Sequence, residues 1–144
     1  MIFQQEWVDA RSLTIDGQGW NDPANPWARL PSAAKGVVRD AVWDLSRHSA
    51  GIAVRFRTQG GPLAVRWTLA SDALEMPHMP ATGVSGIDVY TRDSKGVWRF
   101  VDNLPPKKKQ SQGNVNLPRK GPVEVMLYLP LYNAALSVEV ACPG

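Results

Sequence analysis

Glycine and proline are spread along the whole of this chain, and they limit the length of the regular elements it can form. The sequence has 12 glycines and 12 prolines among its 144 residues, and both residue types interrupt helices and strands. Six tryptophans and many valines favour strands over helices. We therefore expect an all-β protein of six to nine short strands with no convincing helix. Because each such strand buries one face, the predicted fold is a two-layer antiparallel β-sandwich.

Three pairs of neighbouring segments predict local hairpins. Within each segment apolar side chains fall mainly on one face, as in a strand with one buried side. A short stretch containing turn-forming residues joins the two members of each pair. The predicted pairs are 52–57 with 63–69, 86–91 with 97–101, and 123–129 with 136–140.

Residues 76–81 form a loop of unusual composition. Pro77 and Pro80 fix two backbone angles and remove two N–H donors, so this segment cannot join a sheet ladder smoothly. Met76, His78 and Met79 lie beside the prolines, and methionine side chains adapt well to irregular partner surfaces. We therefore expect an ordered, partly exposed loop that contacts a partner or a ligand, with packing inside this domain as the alternative.

Four segments of the sequence resemble one known family. Residues 76–83, MPHMPATG, and 86–90, GIDVY, are similar to a loop and to the G-x-D-L-Y signature of the small β-domain that precedes the catalytic domain in one group of SGNH (GDSL-type) esterases. Val89 stands where the signature has leucine. Residues 45–51 and 128–133 resemble two further segments of that family, so the resemblance spans most of the chain.

The resemblance implies a jelly-roll-like sandwich in which residues 1–144 form a single domain, the N-terminal accessory domain of a longer SGNH-type hydrolase. Its expected partner is the SGNH-type catalytic domain of the same parent chain, whose substrate cleft it would help to shape. The candidate contact residues are Met76, His78, Met79, Asp88 and Tyr90. We expect Asp88 and Tyr90 mainly to hold the loop, through carboxylate bonds to backbone N–H groups and a phenol hydrogen bond.

The residues that an SGNH-type esterase uses for catalysis are missing from this sequence. It has neither a G-D-S-like turn for a nucleophilic serine nor a D-x-x-H segment for an acid and a base. Ser46 and His48 lie two positions apart in a predicted turn, and this spacing does not bring a nucleophile to a base. Two histidines without a spaced motif are a weak metal signal. We expect no catalytic residue, metal or cofactor in this chain.

Two tryptophans in the irregular stretch 17–31 suggest an alternative function. An exposed indole there would suit stacking on a sugar ring, whereas a buried one would plug an edge of the sandwich. If Trp20 and Trp27 are open and coplanar, they predict a carbohydrate-binding module. The other tryptophans lie in or beside apolar strands and are predicted to be mostly buried: Trp7, Trp43, Trp67 and Trp98.

Charge and hydropathy argue against two classes of partner. The net charge is +3, and the three lysines of the polar loop 104–113 have no aromatic residues between them, so nucleic-acid binding is not expected. No apolar run reaches the ~18 residues of a membrane helix. The start, MIFQQEWVDA, lacks the features of a signal peptide. Because a leader replaced by Met1 would leave the same start, the compartment stays open, including export of the parent protein.

Overall fold

The computed structural model of this protein describes residues 6–142, with the backbone alone at positions 119 and 120. Seven strands carry most of the structure: β1 Val8–Asp9, β2 Thr14–Asp16, β3 Ala53–Leu69, β4 Ile87–Arg92, β5 Trp98–Leu104, β6 Gln110–Tyr128 and β7 Ala135–Ala141. Two short α-helices, α1 Asp40–Ser46 and α2 Ala81–Val84, lie between them, as do 3-10 turns at Ala10–Ser12 and Ser32–Ala34. Within the described part of the chain, no helix is long and apolar enough to cross a membrane.

The strands form two layers that share β3 and β6. In the first layer, β2 pairs with the first part of β3. The last part of β6 pairs with β3 on one side and with β4 on the other, and β4 pairs with β5. In the second layer, β1, β7, the second part of β3 and the first part of β6 lie side by side. All of these pairings are antiparallel. The predicted all-β sandwich is confirmed.

A corner in β3 lets one strand serve both layers. Gly60 and Gly61 have φ values of 82° and 78°, and the register against β6 shifts on both sides of Gly60. The inward side chains consequently change from even positions, such as Val54, to odd positions, such as Leu63. An irregularity within one strand can shift the alternation of buried and exposed side chains by one residue, just as a hairpin turn can. The predicted hairpin of 52–57 with 63–69 is therefore wrong.

The pairing of β7 also differs from the prediction. Although β7 follows β6 in sequence, it pairs with β1 and with the second part of β3, so the hairpin of 123–129 with 136–140 is wrong. Residues 129–134 instead carry the chain from the first layer to the second. The hairpin of 86–91 with 97–101 is confirmed, since β4 pairs with β5.

The core lies between the layers and joins them. Val89 and Leu127 of the first layer and Val65 and Trp67 of the second are all buried. A side chain of this kind contributes about 1.5–3 kcal/mol when it leaves water. Leu104 of β5 packs so closely on Gly113 of β6 that a Cβ on the glycine would lie 3.0 Å from the leucine side chain.

The lengths of several elements depart from the sequence-based expectations. Seven strands fall within the predicted range, but β3 and β6 have 17 and 19 residues rather than being short. Helix α1 has no counterpart in the predictions. The polar loop 104–113 is also shorter than predicted, because β5 ends at Leu104 and β6 begins at Gln110.

Candidate docking surface

One buried side chain, Asn133 in the segment 128–133, links that segment to loops from three other parts of the chain. This residue is 2% exposed. Its Nδ2 donates to the Ser71 carbonyl and to Ser85 Oγ, each at 3.1 Å, and its Oδ1 accepts from the Ser71 N–H at 3.2 Å. The Asn133 carbonyl accepts from the Ser49 N–H at 3.3 Å. Because Ser49 and Ser85 are also buried, these bonds fix the relative positions of the loops that carry them.

Backbone contacts hold residues 129–134 against α2. The N–H groups of Leu131 and Tyr132 donate to the carbonyls of Gly83 and Val84 at 3.2 and 3.1 Å. This arrangement places Leu131 and Tyr132 at the surface, where they are 41% and 42% exposed. The loop after β6 is thus an anchored segment that presents two large side chains.

A tight turn at residues 76–79 precedes α2. The Met76 N–H donates to the Met79 carbonyl at 3.0 Å, and the Met79 N–H donates back to Met76 at 3.2 Å. Pro77 and His78 form the tip of the turn and are exposed, whereas Met76 and Met79 are half-buried. The Met79 side chain lies over Gly83, where a Cβ would be 3.4 Å from its Sδ. The turn is therefore positioned beside Leu131 by way of α2.

Gly86 explains the glycine of the family signature. A Cβ at this position would lie 2.5 Å from the Thr82 carbonyl oxygen and 2.9 Å from that of Leu104. Both obstacles are backbone atoms, so they cannot rotate away. The glycine therefore allows the start of β4 to pass closely between α2 and the end of β5.

Asp88 and Tyr90 lie on the outer face of β4, between the buried residues Ile87, Val89 and Thr91. Asp88 Oδ1 accepts from Asn103 Nδ2 at 2.6 Å, and the same amide group donates to the Thr82 carbonyl at 3.1 Å. Asp88 thus steadies α2 through the Asn103 side chain. The sequence-based prediction was that the Asp88 carboxylate accepts from backbone N–H groups. Among the described residues it accepts from the Asn103 side chain instead.

Tyr90 contributes to an aromatic cluster. Its ring makes edge contacts with Phe100 of β5 and Tyr128 of β6, at centroid distances of 5.6 and 5.5 Å. Phe100 is 58% exposed. A depression of about 350 Å³ lies beside the cluster and is lined by Asp88, Tyr90, Trp98, Met126, Tyr128 and Leu131.

We call the area that runs from the 76–79 turn past Leu131 to Phe100 the docking surface, as the candidate contact area of the chain. It contains all five residues that the sequence singled out on the loop and on β4. Sequence reasoning missed Phe100 and Leu131 as members, and it missed Asn133 as the support. The signal for Asn133 was present in the segment 128–133, where one amide follows an apolar run.

The hydroxyl groups near His48 are engaged elsewhere. Ser46 Oγ donates to the Trp43 carbonyl at 2.6 Å, and the buried Ser49 Oγ donates to the Pro130 carbonyl at 2.8 Å. Burial lowers the pKa of His48, and the charge of Arg29 lowers it further. His48 packs edge-on to Tyr132 at a centroid distance of 6.1 Å, so the two serines and His48 are placed to support the fold.

The tryptophans do not form a sugar-stacking platform of the predicted kind. Trp20 is 54% exposed, but Trp27 is 2% exposed and belongs to the core. The prediction that Trp27 stacks on a glycan is therefore wrong, because its ring faces are covered by protein. Trp67 is buried as predicted, whereas three tryptophans predicted to be mostly buried are only half-buried: Trp7, Trp43 and Trp98.

The chain is similar to known proteins over nearly its whole length. The model of the GxDLY family, the N-terminus of SGNH-hydrolase-type esterases, matches residues 5–143. A GDSL-like lipase from Bacteroides ovatus has a TM-score of 0.87 at 24% identity, over 96% of this chain and 40% of that protein. The salicylyl-acyltransferase SsfX3 from a tetracycline biosynthetic pathway has a TM-score of 0.65 at 20% identity, over 95% of this chain and 39% of the transferase. The curated proteins contain no sequence match. Within the described residues, no group of His, Cys, Asp and Glu is placed to hold a metal ion.

Proposed function

This chain belongs to the GxDLY family, the N-terminal part of SGNH-hydrolase-type esterases, and from that membership we propose that it is a non-catalytic accessory domain. It packs on the catalytic domain of its parent protein and helps to shape the substrate cleft. The chain spans about two fifths of the length of the two solved structures it resembles. That proportion leaves room in such proteins for a separate catalytic domain.

The observation that carries the proposal is the position of the family segments. All four meet at the docking surface or directly beneath it, and the surface is rich in large exposed side chains: Phe100, Tyr128, Leu131 and Tyr132. An exposed apolar area of this kind is more often an interaction site than an accident. Because Asn133 and α2 hold it in place from below, the area is presented as a preformed surface, which reduces the entropy lost on docking.

The chemistry of the docking surface fits a protein partner. The aromatic cluster supplies flat apolar area, and the half-buried methionines at the 76–79 turn can adapt to an uneven partner. Asp88 and His78 add polar groups at the edge. Because the family model describes the N-terminus of esterases, we propose that the parent protein is an esterase, and we propose acylated carbohydrates as a substrate class to be tested.

The first test is an activity assay on two proteins. The purified 144-residue chain should not hydrolyse p-nitrophenyl acetate or acetylated xylan, whereas a longer product of the same gene that includes a catalytic domain should. Hydrolysis by the short chain that Ser46→Ala or His48→Ala abolishes would overturn the accessory role. Hydrolysis that survives both substitutions would identify a contaminant.

The second test uses the longer product and two matched variants. Phe100→Asp places a charge on the docking surface, and Leu136→Asp places one on β7 in the other layer; the two side chains are 58% and 60% exposed. We expect Phe100→Asp to lower kcat/KM at least tenfold and to separate the unfolding transitions of the two domains. Leu136→Asp should leave both unchanged. Equal effects of the two variants would show that the docking surface has been assigned wrongly.

A further inference from the structure

The outer face of the second layer carries a row of carboxamide side chains. Gln110, Gln112, Asn114 and Asn116 occupy alternate positions along β6, and all four are exposed. Between them, Ser111 and Val115 are buried. At about 3.3 Å per residue, the row extends over roughly 20 Å. Each carboxamide offers two N–H donors and one acceptor oxygen along this length.

Gln110 and Gln112, at the start of this row, form one wall of a groove with the neighbouring strands. The register places Arg66 of β3 between Gln112 and Glu139. The next row of the sheet adds the hydroxyl groups of Thr68 and Ser137. The groove has a volume of about 400 Å³, and its polar side chains are Arg66, Thr68, Gln110, Gln112, Ser137 and Glu139.

Arg66 and Glu139, the charged residues in the described lining of the groove, neutralise each other. Arg66 Nε and Nη2 donate to Glu139 Oε1 and Oε2, each at 2.9 Å. The ring of the half-buried Trp7 packs against the same guanidinium, 4.2 Å from ring centroid to Cζ. The groove therefore combines several neutral donors and acceptors with one internally paired ion pair, and one indole lies beside it.

We propose that this groove binds a neutral oligosaccharide. Each hydroxyl group of a sugar both donates and accepts, and carboxamides and hydroxyls are the side chains that can match both functions without a net charge. Trp7, which packs on Arg66 beside the groove, adds apolar area for the C–H face of a ring. A nucleic acid or an acidic polymer would instead need unpaired cations in the groove itself, where Arg66 is bound to Glu139. The exposed lysines 107–109 lie in the loop before β6, outside the lining of the groove.

This site is distinct from the docking surface. The docking surface lies on the outer face of the first layer, around β4, β5 and the last part of β6. The groove lies on the outer face of the second layer, so the core separates the two. An oligosaccharide and a catalytic domain can consequently be bound at the same time, and the inference stands whether or not the docking proposal holds.

Calorimetry on the 144-residue chain tests the inference with xylohexaose, cellohexaose and mannohexaose, and with oligogalacturonate as a charged probe. We expect at least one neutral hexaose to bind and oligogalacturonate to bind at least tenfold more weakly. Gln112→Ala should weaken the binding at least fivefold. Gln59→Ala removes another exposed carboxamide, from the corner of β3, and should leave the binding unchanged.

Each alternative outcome counts against the inference. The groove is not a neutral-glycan site if none of the hexaoses binds at 10 mM, or if oligogalacturonate binds best. Equal binding by wild type and Gln112→Ala would place the sugar elsewhere on the protein. The melting temperatures of both variants must match that of the wild type, so that a loss of binding reflects the groove and not the fold. If Gln112→Ala melts at a lower temperature, Gln110→Ala replaces it.

Discussion

Replacing Asn133 with alanine should destabilise the protein more than any surface substitution. The change removes two donated bonds and one accepted bond, to the Ser71 backbone and to Ser85 Oγ. Ser85 is fully buried, so its hydroxyl loses a partner that water cannot replace. An unsatisfied buried group of this kind costs about 1–3 kcal/mol.

The remaining two bonds should contribute less to the loss. Ser71 is exposed, so water can replace Asn133 at its N–H and carbonyl, and we assign about 0.5–1 kcal/mol to the pair. The free energy of unfolding should therefore fall by about 1.5–4 kcal/mol, which corresponds to a decrease in Tm of roughly 5–15 °C for a chain of this length.

Urea denaturation followed by tryptophan fluorescence measures this difference. Asn21→Ala removes an exposed asparagine and serves as the matched control, with an expected change within about 0.5 kcal/mol. In a Ser85→Ala background, Asn133→Ala should cost at least 0.5 kcal/mol less than in the wild type, since the two side chains are bonded. If Asn133→Ala behaves like Asn21→Ala, the loops are held by other contacts and the argument from Asn133 fails.

Two further predictions concern the fold. Gly86→Ala should lower the free energy of unfolding by about 1–3 kcal/mol, because its Cβ would meet two backbone oxygens within 3 Å. In the control Gly83→Ala, the Cβ meets only the flexible Met79 side chain, and the free energy of unfolding should change by less than about 1 kcal/mol. Equal effects of the two variants in chemical denaturation would contradict the close approach at Gly86. The pKa of Asp22 is lowered to about 2 by bonds from Ser32, the backbone N–H first. Since its folded pKa lies below the unfolded value, the stability it adds is present above about pH 4. That stability is lost as the pH falls towards 2, so Asp22→Asn should flatten the fall of Tm between pH 4 and 2, and an unchanged slope would refute this.

The sequence predicted faces of strands better than it predicted their partners. The apolar side chains of β3 face the core on both sides of Gly60, as their alternation predicted, because alternation depends only on which side chains are apolar. The pairing was wrong because a glycine pair suits either a hairpin turn or a corner within one strand, and tertiary contacts with β6 decide between them. The partner of β7 was unpredictable for the same reason, since strands distant in sequence leave no local signal of their pairing.

In the candidate site, too, local features could be predicted from the sequence, whereas contacts between distant segments could not. The residues on the 76–79 turn and on β4 could be identified from proline, methionine and the signature glycine, which are local features. Phe100 and Leu131 belong to the same surface only because β5 and the 129–134 segment fold next to it. Trp27 was misjudged because a proline-rich stretch gives no information about which of its aromatic side chains the rest of the chain will cover.

The sharing of β3 and β6 between the layers has a consequence for how the chain folds. Ala53 pairs with Tyr128, and Thr68 pairs with Gln110, so neither layer can close until β6 has been synthesised. Folding governed by such distant pairs is slow, in the millisecond-to-second range, and until then the edges of β3 remain open to strands of neighbouring nascent copies. Once β6 is in place, both layers gain their central strands together, so they should also be lost together in a single cooperative transition.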